Sequence, residues 1–222
     1  MLEKDVRIIK KKGVYHIVNS ESGLSKSWFG GSFSFVYDIV MKRCIFPGKF
    51  GGDMSLHYEI LSRELAGIHG KNVLEVASGT GSAVNFVSND NRYAGTDISP
   101  GLLKKAVRNF RDAGFDEADF YVAGADNLPF DDAVFSVCLC ILSLNFFPDA
   151  GNVFREIKRV LIPGGVLICS VPVPDRNRLQ SKIRGNLFSE TELENMCREA
   201  GFQFENIPAE NGALLYFKAI KQ

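Results

Sequence analysis

Two acids and a turn of small residues are the parts of this 222-residue chain whose types and spacing could do chemistry. Val73-Leu74-Glu75-Val76-Ala77-Ser78-Gly79-Thr80-Gly81-Ser82 reads as a buried strand bearing one carboxylate, then a turn, then the start of a helix. Small residues let a ligand approach the backbone with no Cβ in the way. A helix N-terminus behind the turn offers unpaired N–H groups and partial positive charge to an anionic group. An ionised Glu75 in an apolar strand is costly unless it meets a donor or a cation. The second acid, Asp97, lies in Tyr93-Ala94-Gly95-Thr96-Asp97-Ile98-Ser99-Pro100 at the end of a second strand, where an acid accepts hydrogen bonds from two ribose hydroxyls. Its other reading is a cap for the helix that Pro100 opens, a position Ser99 also suits.

Other nucleotide motifs fit this turn badly. A G-x-G-x-x-G frame from position 77 finds Ala77, Gly79 and Ser82, and from position 79 it finds Gly79, Gly81 and Val84. Neither supplies the three glycines that pyrophosphate binding and close helix packing require. No Gly-Lys-Ser/Thr follows, so a P-loop is absent.

The elements that position these residues alternate from Lys71 onward. Strands are predicted at Lys71 to Ala77, Arg92 to Asp97, Asp119 to Val122, Val134 to Leu142 and Val166 to Val171. Helices are predicted near Ser82 to Ser88, from Pro100 to a stop at Gly114, at Asp149 to Leu161, and from a Ser189/Glu192 capping box to Gly201. Pro163-Gly164-Gly165 reads as a sharp turn into the fifth of these strands. The last two strands, near Phe202 to Ile207 and Leu214 to Ile220, lack a crossover helix and so form a hairpin with an antiparallel strand. The order argues for an α/β sheet with helices on both faces.

Residues 1–70 follow other rules. Val6 to Ile9 and Val14 to Val18 flank Lys12-Gly13 as a hairpin. Phe33 to Cys44 reads as a short helix ended before Pro47. Asp53 caps a clearer helix with Leu56, Ile60, Leu61, Leu65 and Ile68 on one face. With no linker and no repeat, 1–70 is an extension packed on a core formed by 71–222, not a domain of its own.

Composition narrows the function classes. Lys plus Arg equals Asp plus Glu at 26 each, for a net charge of zero. Nucleic-acid binders usually carry a basic excess, so none is expected as partner. Lys10-Lys11-Lys12, beside Gly13, reads as a solvated turn. No apolar run reaches the roughly 18 residues of a membrane span. The start, Met1-Leu2-Glu3-Lys4-Asp5, has no signal-peptide core, which predicts a cytoplasmic chain. Cys138, Cys140 and Cys169 sit in apolar runs, as buried reduced thiols do, and no completing ligands point to a metal site. Phe is unusually frequent, at 18 residues.

Four stretches together resemble a known family. Val73 to Gly81 is similar to the first motif of class I S-adenosylmethionine-dependent methyltransferases, and Thr96-Asp97-Ile98-Ser99-Pro100 to their second-strand acid motif. Ala125-Asp126-Asn127-Leu128-Pro129-Phe130 resembles the adenine-side loop of the subgroup that includes ubiquinone and menaquinone methyltransferases. Arg155-Glu156-Ile157-Lys158-Arg159-Val160-Leu161-Ile162-Pro163-Gly164-Gly165 matches that subgroup's helix, turn and fifth strand. The resemblance runs from about Lys71 to Phe202.

It implies a Rossmann-like three-layer sandwich with a mostly parallel seven-stranded sheet, an antiparallel last strand, and an N-terminal lid. The implied cofactor is S-adenosyl-L-methionine, leaving as S-adenosyl-L-homocysteine. Glu75 would face the methionine ammonium; Ala77, Ser78, Gly79 and Gly81 would contact the methionine moiety; Asp97 would hold the ribose, Ile98 would lie on adenine, and Ala125 would present its N–H to the ring. Two departures stand out. Ala77 replaces the usual Gly, and Gly124 replaces an Asp that contacts the adenine amino group. Asp126 either takes over that contact or is a solvated acid. Cys140 either touches the cofactor or is a buried structural thiol.

The implied partner is a small-molecule acceptor, methylated by in-line displacement, with apolar or planar acceptors fitting an aromatic lid. Tyr37, in Tyr37-Asp38, resembles an aromatic that covers the cofactor; Phe33, Phe35, Tyr37, Ile39, Val40 and Met41 otherwise pack the extension onto the sheet. His16, His57 and His69 all precede the core and read as surface or packing residues, so no base is assigned. Ser143-Leu144-Asn145-Phe146-Phe147 falls where the family's acceptor pocket begins. The rival readings are a nicotinamide-dependent oxidoreductase and a cofactor-binding protein without catalysis.

Overall fold

Apolar runs of five to twelve residues, alternating with capped helices, generate the sheet and its two covering layers. The structure is a computed structural model and describes residues 1–3, 6–17 and 41–222, without the side chains of 41–44. The expectations on Tyr37, Phe33, Phe35, Ile39 and Val40, and on the side chains of Met41 and Cys44, lie outside the described residues. The strands are β1 (Ile8–Lys11), β2 (Val14–Ile17), β3 (Asn72–Val76), β4 (Arg92–Asp97), β5 (Ala118–Val122), β6 (Phe135–Ile141), β7 (Leu161–Pro172), β8 (Phe202–Asn206) and β9 (Leu214–Lys221). The α-helices are α1 (Met54–Leu65), α2 (Pro100–Asp112), α3 (Ala150–Val160) and α4 (Glu190–Glu199).

Among the described residues the strands form one sheet in the order β1-β2-β5-β4-β3-β6-β7-β9-β8. The five from β5 to β7 are parallel, and β9 is antiparallel to both β7 and β8. The expected seven strands with an antiparallel last one are therefore present. The N-terminal hairpin lengthens the sheet to nine, because β2 adds to β5 in parallel, with Val14 opposite Phe120 and His16 opposite Val122.

Each face of the sheet has its own core. One packs α3 and α4 over Leu74, Val76, Cys138, Cys140 and Cys169; the other packs α1 and α2 over Val73, Tyr93, Phe120, Leu139 and Tyr216. Caps fix where the helices begin. Asp53, Ser99, Asp149 and Ser189 each accept a backbone N–H from the first turn, and Ser189 with Glu192 completes the capping box.

Four local expectations are corrected. The helix after Gly81 shrinks to one 3-10 turn, Ser82–Asn85. It ends at Phe86, whose N–H donates to Ala83 O, and the buried Asn91 side chain ties down the loop beyond it, accepting from Lys71 N and donating to Ile68 O and Ser88 O. Pro47 does not end its segment: Met41–Phe50 winds as a π-helix with Pro47 inside it. Leu56 is exposed, and His57 takes its place on the buried face of α1. Pro163-Gly164-Gly165 is absorbed into β7, which already begins at Leu161 and takes up the turn as a register shift against Phe135 and Val137. No helix among the described residues is long and apolar enough to cross a membrane.

Candidate functional site

Parallel, in-register pairing of β3 with β4 brings the chemistry-bearing residues together at the carboxyl end of the sheet. Glu75 lies opposite Gly95, and Val73 opposite Tyr93. Alternation then places Glu75, Tyr93, Gly95 and Asp97 on the face covered by α1 and α2. The turn after β3 is held by its own backbone. Ser78 N–H donates to Thr96 O (2.8 Å), Gly81 N–H to Ser78 O (2.9 Å), and Asn109 Nδ2 reaches Thr80 O (2.9 Å).

Ala77 at φ +52°, Gly79 at +55° and Gly81 at +79° all take the left-handed conformation. The two glycines differ in surroundings. Among the described residues a Cβ at Gly79 would meet nothing within 4 Å, so the backbone there is open to a ligand. A Cβ at Gly81 would stand 2.9 Å from the Ala106 methyl, so that glycine brings the turn against α2.

The anion that the turn was expected to recruit is supplied by the chain itself. Asp97 Oδ2 accepts from Gly79 N–H (3.0 Å) and Oδ1 from Ser99 N–H (2.8 Å). Ser99, not Asp97, caps α2. Burial lifts the Asp97 pKa, against the pull of these two N–H bonds. Glu75 is 2% exposed and accepts the Tyr93 hydroxyl. Burial raises it to about 8, the Tyr93 bond opposes the rise, and the nearby Asp97 charge adds to it. Beside them the buried Ser78 Oγ has no hydrogen-bond partner among the described residues. It occupies room that only Gly95 leaves, since a Cβ there would come within 2.8 Å of that oxygen.

Tyr93 and Gly95 escaped sequence reasoning. The signal was their period-two spacing with Asp97, which becomes informative only once the register to Glu75 is known.

Across β5 the loop from Gly124 to Phe130 is clamped by α3. Glu156 Oε2 accepts from Leu128 N–H (2.9 Å), while Arg159 donates to Leu128 O and Phe130 O and pairs with Glu156 and Asp132. Ala125 is buried and Asp126 is exposed. The Asp126 carboxylate lies against the point where a Gly124 Cβ would be. Ile98, at the end of β4, is 55% exposed.

Cys140 is not brought to the acids. Its side chain belongs to the core beneath α3 and α4, on the opposite face from Glu75, with Sγ 3.4 Å from Ser143 Oγ. After β6, Asn145 is buried and donates to Arg184 O (2.7 Å), whereas Phe146 is 62% exposed.

This arrangement, a parallel sheet with a buried acid before an open left-handed turn and a second acid after the next strand, agrees with a family match. Residues 74–169 fit a family model described as a methyltransferase domain. The segment 74–169 is thus similar to a class I S-adenosylmethionine-dependent methyltransferase domain.

Among curated relatives, sterol 4-C-methyltransferase strm-1 of Caenorhabditis elegans is 29% identical over 163 residues, 69% of this chain and 45% of that protein. Demethylmenaquinone methyltransferase of Clavibacter sepedonicus is 33% identical over 115 residues, covering 51% and 46% respectively. The matched region thus spans less than half of either relative. Among solved structures, geranyl diphosphate C-methyltransferase of Streptomyces coelicolor, determined with Mg2+, geranyl-S-thiolodiphosphate and S-adenosyl-L-homocysteine, superposes with a TM-score of 0.61 at 15% identity, over 76% of each chain. That likeness is one of fold.

Among the described residues the histidine contacts do not involve Glu75 or Asp97. His57 on α1 is buried, with Nδ1 2.9 Å from the Tyr216 hydroxyl. Burial lowers it to about 3, which keeps the ring neutral. Asn211 donates to Tyr216 (2.9 Å) and to Asp53 O (2.9 Å), and accepts from Asp53 N–H (2.6 Å). These bonds fasten α1 to β9. His69 pairs with Asp90 on the surface, and His16 lies on β2. Among the described residues no cluster of three or more His, Cys, Asp or Glu could hold a metal ion.

Proposed function

We propose that this chain transfers a methyl group from S-adenosyl-L-methionine to a small apolar or planar acceptor by in-line displacement. One observation carries the reading: among the described residues, the backbone at Gly79 is open and lies beside two buried acids and a Ser78 hydroxyl with no partner. A cationic, hydroxyl-rich ligand matches that donor set. Glu75 would balance its ammonium, Asp97 would accept from its ribose hydroxyls, and Ala77, Ser78, Gly79 and Gly81 would line its amino-acid end. Ile98 would cover the adenine, Ala125 would donate its N–H, and Asp126 would take the adenine amino contact in the space Gly124 leaves.

When bound, the cofactor supplies a sulfonium methyl already activated for transfer. The chain's own task is then to align the acceptor, a positioning effect of several kcal/mol, and to exclude water. No side chain is assigned as base. Exposed Phe146 at the carboxyl end of the sheet favours an apolar acceptor. So do the sterol and demethylmenaquinone named for the curated relatives.

A nicotinamide-dependent oxidoreductase is disfavoured because Val84 stands at the third glycine position and the buried Glu75 faces no nicotinamide requirement. Titration calorimetry with S-adenosyl-L-homocysteine and with NAD separates the two. We expect tight binding of the first alone, and binding of NAD alone overturns the proposal. Turnover on a panel of quinol, sterol and phenolic acceptors then distinguishes an enzyme from a cofactor-binding protein without catalysis.

A further inference from the structure

The N-terminal hairpin and α2 combine their cations on one face. Register sets Ile9 opposite His16 and Lys11 opposite Val14. Val14 is buried in the core beneath α2, so alternation turns Ile9, Lys11 and His16 to that same face. The hairpin turn packs on α2, where a Cβ at Gly13 would stand 3.0 Å from a Val107 methyl. Lys104, three residues before Val107, lies on the hairpin side of the helix, and Arg108 follows it one turn on, at i+4. The charges of Lys11 and Lys104 both bear on His16, adding to the lowering of its pKa by burial.

Lys10 is turned to the other face, hydrogen-bonded to Tyr15 (2.9 Å) and paired with Asp119. By contrast, Lys11, Lys104 and Arg108 enter no ion pair among the described residues. Because the charges of the whole chain sum to zero, a face uncompensated among the described residues implies an acidic excess elsewhere and an orienting field.

We propose that this face docks the protein on an anionic lipid bilayer. Ile9 is 47% exposed among the cations, the pairing of an apolar contact with basic residues that an interface favours. Nucleic acid fits less well, because base stacking needs exposed rings. Tyr15, the hairpin's aromatic, is turned away to stack on Tyr121 at 5.0 Å. The patch reaches the carboxyl end of the sheet, since His16 lies opposite Val122, the last residue of β5. The inference rests on the apolar acceptor proposed above, which would be met dissolved in a bilayer.

The test is co-sedimentation with phosphatidylcholine vesicles, with and without phosphatidylglycerol. The protein is expected to bind only the anionic vesicles and to leave them at high salt. The double variant Lys11→Gln/Arg108→Gln should partition roughly 25-fold more weakly, at about fivefold per cation, with unchanged S-adenosyl-L-homocysteine affinity as the folding control. Equal partitioning of the variant, no binding to anionic vesicles at low salt, pelleting by self-association without lipid, or binding to duplex DNA but not vesicles would each overturn it. Turnover of a detergent-solubilised quinol or sterol separates the two readings. Turnover without vesicle binding sinks the docking alone, and vesicle binding without turnover sinks the acceptor alone.

Discussion

Tyr93 on β4 donates its hydroxyl to Glu75 on β3, sealing the acid of the turn motif inside the layer beneath α1 and α2. The folded pKa of Glu75, about 8, lies above its ordinary 4.5. The folded protein therefore holds more protons than the unfolded one between those values, and stability falls as pH rises through that window. In urea titrations of the ligand-free protein the midpoint should decline from about pH 4.5 to about pH 8, and Glu75→Gln should flatten the decline. A cation bound beside Glu75 should expel its proton, visible near pH 7 as a buffer-dependent heat in calorimetry that Glu75→Gln abolishes.

Asp97→Ala should weaken S-adenosyl-L-methionine binding by at least about tenfold, equivalent to ~1.4 kcal/mol. The substitution also leaves Gly79 N–H and Ser99 N–H without their acceptor, so a stability loss of about 1–3 kcal/mol should accompany it. Calorimetry on the folded variant checks the affinity, and an unchanged value removes the ribose role.

Gly79→Ala and Gly81→Ala should fail in different ways. At Gly79 the methyl meets no atom of the described residues within 4 Å, so stability should drop only by the left-handed penalty of about 1–2 kcal/mol while cofactor affinity falls. At Gly81 the methyl collides with Ala106 and Phe110, adding about 1–3 kcal/mol of overpacking to the same penalty. Parallel denaturation and binding curves distinguish them.

Ala77 holds a left-handed φ of +52° without being glycine. Ala77→Gly should raise stability by roughly 0.5–1 kcal/mol, the relieved strain being partly offset by the greater freedom of glycine in the unfolded chain. Thermal and urea unfolding measure this, and a destabilised variant would contradict it.

Asp126→Ala should weaken cofactor binding, with adenosine competition losing strength in parallel. Gly124→Asp alone should not improve binding, because Asp126 already fills its space. In the Asp126→Ala background the same substitution should restore affinity. Calorimetry on the three variants decides whether position 126 has taken over the contact.

Much of this could be read from local signals. β4 matches its predicted bounds, and Asp53, Ser99, Asp149 and Ser189 cap their helices because capping needs only a side chain and the next turn. What escaped depends on residues far apart. Asn91 ties down the loop after the short turn that follows Gly81 through bonds to Lys71 and Ile68, some twenty residues upstream. The parallel addition of β2 to β5 links segments about 100 residues apart, which no turn signal specifies. Tyr93 and Cys140 make the same point at the site. Only strand register turns Tyr93 toward Glu75 and Cys140 away from it.

The bonds between α1 and β9 also set an order of assembly. His57 meets Tyr216 across 159 residues, and Asp53 meets Asn211 across 158. Neither contact exists until the chain has been synthesised through β9, and closing so long a loop carries an entropic cost that only the finished sheet offsets. The helix on the face that holds Glu75 is thus latched by residues that follow the site by more than a hundred positions. A polypeptide stopped before Asn211 would keep the turn and its acids but lose the latch.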